Sequence, residues 1–393
     1  MLNVRKHASP LVMVSKRISS LNVSGIRRFS EAAPVGAINL GPGEPDVPPP
    51  PEMIRGLKSA LDKGYNKYSP MAGITELREA IAARIGKHRK DYTLENIIIT
   101  AGATEGMRIA CETVLDKGDE ALIPNPGFVI YGPQVVLAGG DAVEYSLRPE
   151  NGYLPDIEEL ESLITSRTKA IIVNSPSNPT GMVFPKEVVK AISEIAKDHK
   201  LYILSDEVYD GFVYEGKHWS FAGFHDDTIL VNSFSKSLAA TGWRIGYTAA
   251  PTEIVKYLAN AQYYTIVCPP TAAQYAVLEG MKVEERFKAE LLAEFRARRD
   301  IAMKKLAEIP TFTTPPVQGA FYLFPKYSQN IQSEEFATRI LEKGVICVPG
   351  SAFGSLGEGH LRFSYANSRE NISKGLDILR DVAGRIEGNQ QKL

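Results

Sequence analysis

The chain has 393 residues, enough for two or three domains or for one large and one small. Hydrophobic residues make up 44% and charged residues 23%, the balance of an ordinary globular protein that buries a core. A net charge of −1 gives no electrostatic reason to expect a nucleic acid or an anionic membrane as partner, and no apolar run approaches the ~18 residues of a membrane helix.

Residues 1–30 carry Arg5, Lys6, Lys16, Arg17, Arg27 and Arg28 but no acid. A transit peptide has a similar composition; the reading adopted is a structural arm lying on the fold. Proline is densest over 45–52 (PDVPPPPE), which resists helix and strand and reads as a crossing between domains. The β-branched run 96–100, halted by Gly102, predicts a buried strand, and 104–115 a helix. Short apolar runs at 120–123, 169–174, 201–205 and 228–232 predict further strands, with helical stretches such as 186–199 between them. Strands alternating with helices imply βαβ units and a mostly parallel sheet covered on both faces. Residues 283–309 contain no Gly and repeat apolar residues at helical spacing, which predicts one long bridging helix. Beyond it, QGAFYLFP and HLRFSYA are strand-like and 372–386 helical, so the remainder reads as a smaller α+β unit.

The polar residues that carry information fall where these strands end. In a doubly wound sheet that is where ligands bind. Asn178 lies in the turn after 169–174, Asp206 ends 201–205, and Ser233, Ser235 and Lys236 follow 228–232. Gly102, Ala103 and Thr104 join a strand to a helix N-terminus, whose free N–H groups suit a phosphate. The two serines and Arg244 can add to that anion site. Lys236, among hydroxyls and a cation, would lose its proton more easily than a free lysine, as an imine-forming amine must. Asp206 could hold a proton on a heterocycle nitrogen. Singly, each feature has an ordinary structural explanation, such as a helix cap for the carboxylate or a solvent-exposed lysine. The arrangement as a whole is the signal.

The segment SFSKSLAATGWRIGY (233–247) resembles the cofactor-lysine signature of the class I and II aminotransferases, within the fold-type I pyridoxal phosphate enzymes. The resemblance runs from about Val14 to Ala383. NLGPGEPDVPPP, YSPMAGITELREAI, ITAGATEGM, PNPGFVIY, NSPSNPTG, LSDEVYDGF, QGAFYLFP, VPGSAFG and HLRFSYA match in order. It implies an α/β fold: an N-terminal arm (1–48) that also joins the small domain, a large domain (49–285) around a mostly parallel seven-stranded sheet, and a small C-terminal domain (286–393). It also implies a pyridoxal-phosphate-dependent aminotransferase that passes the amino group of an L-amino acid to a 2-oxo acid, usually 2-oxoglutarate, in alternating half-reactions.

Residue by residue, the resemblance implies that Lys236 holds the cofactor as a Schiff base and moves the proton. Asp206 would pair with the pyridine nitrogen, while Asn178 and Tyr209 bond its phenolic oxygen. Phe128 would stack on the ring. Gly102, Ala103, Thr104, Ser233, Ser235 and Arg244 would hold the phosphate, and Tyr68 would reach that of a neighbouring subunit, making a homodimer with shared sites. Arg362 would clamp the substrate carboxylate, its planar fork not replaceable by Lys, with Gly43 closing over it.

In one branch of the family's aspartate aminotransferases a lysine stands where this chain has Thr104. That departure leaves a distal carboxylate to Arg27, Arg28 or Lys16, while Phe128, Tyr131, Tyr263 and Tyr264 would favour aromatic or large apolar donors. The expectation is a broad aspartate or aromatic aminotransferase. A carbon–sulfur β-lyase would use the same Lys236, Asp206 and Arg362. A non-catalytic sensor domain would need a DNA-binding segment ahead of residue 14. No G-x-G-x-x-G, P-loop or C-x-x-C occurs, the six histidines are scattered, and a metal site is not expected. Three well-separated cysteines (Cys111, Cys268, Cys347) argue against a disulfide framework and suit a reducing cytoplasm.

Overall fold

A computed structural model describes residues 14–21, 25–32 and 34–390. Arg5 and Lys6 of the basic arm lie outside the described residues. Seven strands form the central sheet: β1 (Ile97–Thr100), β2 (Glu120–Asn125), β3 (Asp141–Ser146), β4 (Thr168–Asn174), β5 (Tyr202–Asp206), β6 (Thr228–Ser233) and β7 (Gly246–Ala249). Their order is β1-β7-β6-β5-β4-β2-β3, and only β7 runs against the rest. The Ile, Val and Ala side chains of β1, β4 and β6 are fully buried. Helices cover both faces, so strand side chains pointing either way are buried, and the runs read as continuously apolar rather than alternating.

Two strands lay outside the apolar-run reading. β3 is an edge strand bonded only to β2, its residues mostly half-exposed, so its sequence (DAVEYS) carries little pattern. β7 is a four-residue GYTA held between β1 and β6 by antiparallel pairing. β2 also runs past Ile123 through Pro124. There it pairs only with β3, β4 having left it after Leu122, so the missing N–H of proline is tolerated.

The proline-rich stretch is irregular only to Pro50. Pro51 opens the helix Pro51–Asp62, where an N–H would have had no intrahelical partner anyway. The long helix spans Glu284–Ala307 and packs on the last helix, Arg369–Gln390. Phe295 on the long helix meets Phe212 and Phe321 in a second core. Here β8 (Tyr322–Leu323) and β9 (Val348–Pro349) flank β10 (Leu361–Ser364), both antiparallel to it. The two-residue strand Ile38–Asn39 pairs with Val345–Ile346, so the N-terminal segment is stitched to C-terminal strands. Among the described residues no helix is long and apolar enough to cross a membrane.

Candidate active site

The sheet topology decides which chemical groups meet. Asn174, Asp206 and Ser233 are the last residues of three adjacent parallel strands, and Asn174 stands in register with Asp206. The Asn174 amide donates to the Asp206 carbonyl (2.9 Å) and its oxygen accepts the Asn178 N–H (2.8 Å), tying the 178 turn to the strand ends. Above these ends opens a cleft of about 460 Å³. It is lined by Gly43, Ala103, Thr104, Phe128, Asn178, Asp206, Tyr209, Ser233, Ser235, Lys236, Arg244 and Arg362. The structure thus brings together every site residue expected from the sequence except Gly102 and Tyr68.

Gly102 lies just beneath the surface of the cleft. Its left-handed φ of 78° turns the chain into the helix Ala103–Val114, and a Cβ there would run into the Arg244 guanidinium. That guanidinium donates to the Thr241 (2.9 Å) and Ala101 (3.4 Å) carbonyls. The helix has no side-chain cap, so the first N–H groups, at Ala103 and Thr104, face the cleft beside Arg244, Ser233 and Ser235. This is a cradle for a phosphate-sized anion. Tyr68 is 82% exposed and shares a separate surface depression with Ala101, Arg244 and Cys268.

Lys236 extends along the cleft floor, its ammonium donating to the Gly43 carbonyl. Burial pushes this amine down to about 8, helped by Arg362 and Arg244 and opposed by Glu44 and Asp206. Asp206 is buried, and burial raises its carboxyl to about 6 against the bonds from Tyr131 and the Val208 N–H. Among the described residues no Lys or Arg is hydrogen-bonded to it, although Lys236 is near enough to oppose the rise.

Arg362 is 1% exposed. It donates to Asn178 Oδ1 (3.0 Å) and the Gly41 carbonyl, and its plane lies near the Tyr322 and Phe353 rings, 4.6 and 4.9 Å from their centroids. Its Nε has no partner, and burial lowers its pKa. A buried guanidinium without a carboxylate is costly unless a ligand completes it.

Two tyrosines went unassigned as supporting residues. Tyr131 had been counted with the aromatic residues favouring a large donor side chain. In the structure it is 1% exposed; its hydroxyl donates to Asp206 Oδ2 (2.8 Å) and its ring stands edge-on to Phe128 (5.9 Å). It supports the buried acid and the lining aromatic together. The available signal was its spacing, three residues after Phe128 at the start of the helix Tyr131–Ala138. Tyr322, within the quoted QGAFYLFP, shares a hydrogen bond with Tyr209 (2.7 Å between hydroxyls) and fills the space against Gly43. Tyr263 and Tyr264 do not line the cleft of their own chain. The helix Thr252–Ile266 buries Ile254, Leu258 and Gln262 on its inner face, which turns Tyr264 out to solvent at 87% exposure. Of the arm cations, Arg27 lines the cleft, Arg28 pairs with Glu334 (2.7 Å), and Lys16 is not among the lining residues.

Among the described residues the arrangement offers an anion cradle, an amine whose pKa burial lowers to about 8, a buried acid and a buried guanidinium bonded to no carboxylate, around one space. Comparison with known proteins agrees. The profile of the family "Aminotransferase class I and II" matches residues 35–379. The chain is 42% identical to a probable aspartate aminotransferase of Methanocaldococcus jannaschii, over 94% of this chain and 100% of that protein. It is 41% identical to aromatic-amino-acid aminotransferase 2 of Thermococcus litoralis, over 94% and 98%. Among solved structures, a mutant aspartate aminotransferase of Thermus thermophilus superposes with a TM-score of 0.90 at 35% identity, covering 95% of this chain and all of the other.

Proposed function

The chain belongs to the class I and II aminotransferase family, and from that premise we propose how its cleft residues divide the work of a pyridoxal-phosphate-dependent transaminase. The protein is an aminotransferase, taking an amino acid and a 2-oxo acid as substrates. The residues present fit the cofactor. The anion cradle at Ala103, Thr104, Ser233, Ser235 and Arg244 matches its phosphate, and Asp206, a buried acid without a cation, matches a protonated ring nitrogen. When bound, pyridoxal phosphate supplies a carbonyl that accepts an amino group and a protonated ring that draws in an electron pair.

The chain supplies the rest. Arg362, braced by Asn178 and closed over by Gly43, takes the substrate carboxylate in its fork and fixes which bond at Cα stands ready to break. Lys236 is the one amine in the cleft. Lowered to about 8, it takes and returns a proton at Cα near neutral pH. Asp206 would hold a proton on the ring nitrogen, and Tyr209, held by Tyr322, would donate to the phenolic oxygen. Phe128, which lines the cleft, would cover the ring face and exclude water. The observation that carries this reading is the convergence of Lys236, Asp206 and Arg362, from three separate elements, on one cleft. The test is the absorbance of the purified protein as amino acids are added singly without oxo acid. A donor should bleach the yellow protein and 2-oxoglutarate restore it. A protein colourless even with cofactor supplied would overturn the reading.

Tyr131 gives a pH-dependent prediction. Its bond favours ionised Asp206, so Tyr131→Phe removes stabilisation of the carboxylate and raises its pKa above the present value of about 6. The acid limb of the rate profile is expected to move to higher pH, with kcat down by about tenfold at neutrality. An unmoved limb would leave Tyr131 a packing residue.

We also infer a cytoplasmic homodimer. Tyr68, Met71, Tyr263, Tyr264 and Val267 expose apolar surface, and the segments carrying them are joined by the Gln262–Met71 bond (2.8 Å). Such a patch suits a second copy, and it adjoins Arg244 through the depression that Tyr68 shares. Sedimentation is expected to give a dimer, and Tyr68→Ala to weaken cofactor retention; an active monomer would remove the role given to Tyr68.

A further inference from the structure

Beside the ends of β5 and β6 the fold gathers a second set of charged side chains, buried or half-buried, none of which lines the cleft. Glu207 follows the last residue of β5, and its N–H donates to the Val231 carbonyl of β6 (2.9 Å), so the strand pairing continues through it. Successive strand side chains face opposite ways. Asp206 therefore lines the cleft, while Glu207 turns to the other face with Ser205. Glu207 is 3% exposed. One of its oxygens accepts from the Ser205 hydroxyl (2.8 Å), the Ser220 hydroxyl (3.0 Å) and the Phe221 N–H (3.2 Å). The other lies 2.9 Å from His218 Nε2.

The His218 side chain is 10% exposed, and its Nδ1 has no partner among the described residues. The charges around it come from several elements. Asp210, in the turn after β5, pairs with Arg84 of the helix Thr75–Ile85 (2.7 Å). Arg84 reaches on to Glu284 of the long helix (3.1 Å), and Lys288 of that helix stands 3.5 Å from Glu284. His88 sets its ring edge-on to His218 (6.3 Å between centroids), and burial holds its pKa below the ordinary value. Lys217 places its ammonium over the Trp219 ring (4.4 Å). Without a proton on His218, the linked groups are three carboxylates, Glu207, Asp210 and Glu284, against two cations, Arg84 and Lys288. An imidazolium makes the count even, and a buried carboxylate without a counter-charge is costly. Burial opposes that proton, but Glu207 and Asp210 outweigh burial and Arg84, and the His218 pKa is raised.

We propose that His218 carries a proton at neutral pH and that His218 and Glu207 are positioning residues for Asp206: the imidazolium cancels the Glu207 charge one residue away and so keeps Asp206 ionised. A bare Glu207 carboxylate opposes a second negative charge at Asp206. Paired with an imidazolium it leaves mainly a dipole, whose effect falls off faster with distance. The link from Asp206 to a ring nitrogen rests on the transaminase reading; the charge of His218 and its effect on Asp206 do not.

The test begins with NMR titrations of the cofactor-free protein. In the parent the His218 ring is expected to titrate above the ordinary histidine range, and the Asp206 carboxyl carbon at about 6. His218→Gln keeps a donor to Glu207 but removes the charge, so the Asp206 midpoint is expected to rise by about one pH unit. Glu207→Gln should lower it by about as much, and the double variant should follow Glu207→Gln. In the holoenzyme the acid limb of kcat should move in the same directions. Asp206 midpoints that stay put, or that move the same way in both single variants, would overturn the proposal, because damaged packing does not follow the sign of the charge removed. A parent His218 that titrates at or below the ordinary range would overturn it even if neither variant folds. Midpoints that move while the acid limb stays still would remove the link to the ring nitrogen. A protein colourless with cofactor supplied would fail the transaminase reading alone, since the NMR midpoints need no cofactor.

Discussion

Lys236→Ala is expected to abolish transamination, lowering kcat by at least ~10⁴-fold, while the protein stays folded. Two losses combine. On the proposed reading the amine that would anchor the cofactor carbonyl disappears, and with it the base proposed to move a proton at Cα. The neighbouring candidates cannot replace it. Burial pushes the Tyr209 and Tyr322 hydroxyls upward, so neither accepts a proton readily near neutrality, and Arg362 and Arg244 are guanidiniums. Folding should survive because the lysine is only partly buried and its one hydrogen bond, to the Gly43 carbonyl, adds little net stability. A partly buried cation whose pKa has fallen is itself a stability cost below pH 8, so the alanine variant is expected to match or exceed the parent in Tm of the cofactor-free protein at pH 7. Single-turnover conversion of an amino donor is the direct measurement. Appreciable turnover in the variant would sink the assignment.

Asp206→Asn is the second large effect, with a loss of ~10³-fold or more in kcat. The amide keeps the shape and its oxygen can still accept the Tyr131 hydroxyl, but its NH2 then replaces the oxygen that accepts the longer Val208 N–H bond, so the fold at the ends of β4, β5 and β6 should survive with that one bond lost. What goes is the negative charge that, on the proposed reading, would hold a proton on the ring nitrogen. Without it the ring no longer draws in the electron pair left when Cα loses its proton. The effect should fall on kcat rather than on the KM for the amino donor, because Arg362 and Asn178 still hold the carboxylate. The neutral amide also spares the protein a buried carboxylate, so stability above pH 6, where Asp206 is ionised, is expected to rise. A near-normal rate would mean that another group protonates the ring.

Part of the chain's local chemistry was readable because Asp206 and Ser233 sit where short apolar runs stop. Asp206 ends YILSD and Ser233 ends TILVNS, so strand length alone placed them at the sheet's carboxyl edge. The Gly102 turn was readable for a different reason: its positive φ is a backbone conformation that glycine adopts without strain. The supporting contacts were not readable. Tyr131 is separated from Asp206 by 75 residues, and nothing in either segment names the other. Tyr322 and Tyr209 are 113 apart. The aromatic residues 263 and 264 looked like pocket residues by composition, yet helical phase turned them away from the cleft of their own chain.

By itself the sequence determined five of the seven strands of the sheet, missing the edge strand β3 and the interior strand β7, and the family to which the chain belongs. It could do so because burial on both faces writes a continuous apolar run, and because many motifs recur in order. Only the tertiary structure decided the state of the groups. The lowered Lys236 amine, the raised Asp206 carboxyl and the unpartnered Arg362 Nε all follow from desolvation and from partners distant in sequence. The placing of Arg27 rather than Lys16 or Arg28 at the cleft belongs to the same class. It depends on how one short helix packs against β9. Packing between segments some 320 residues apart is a property of three-dimensional complementarity, which no local pattern encodes.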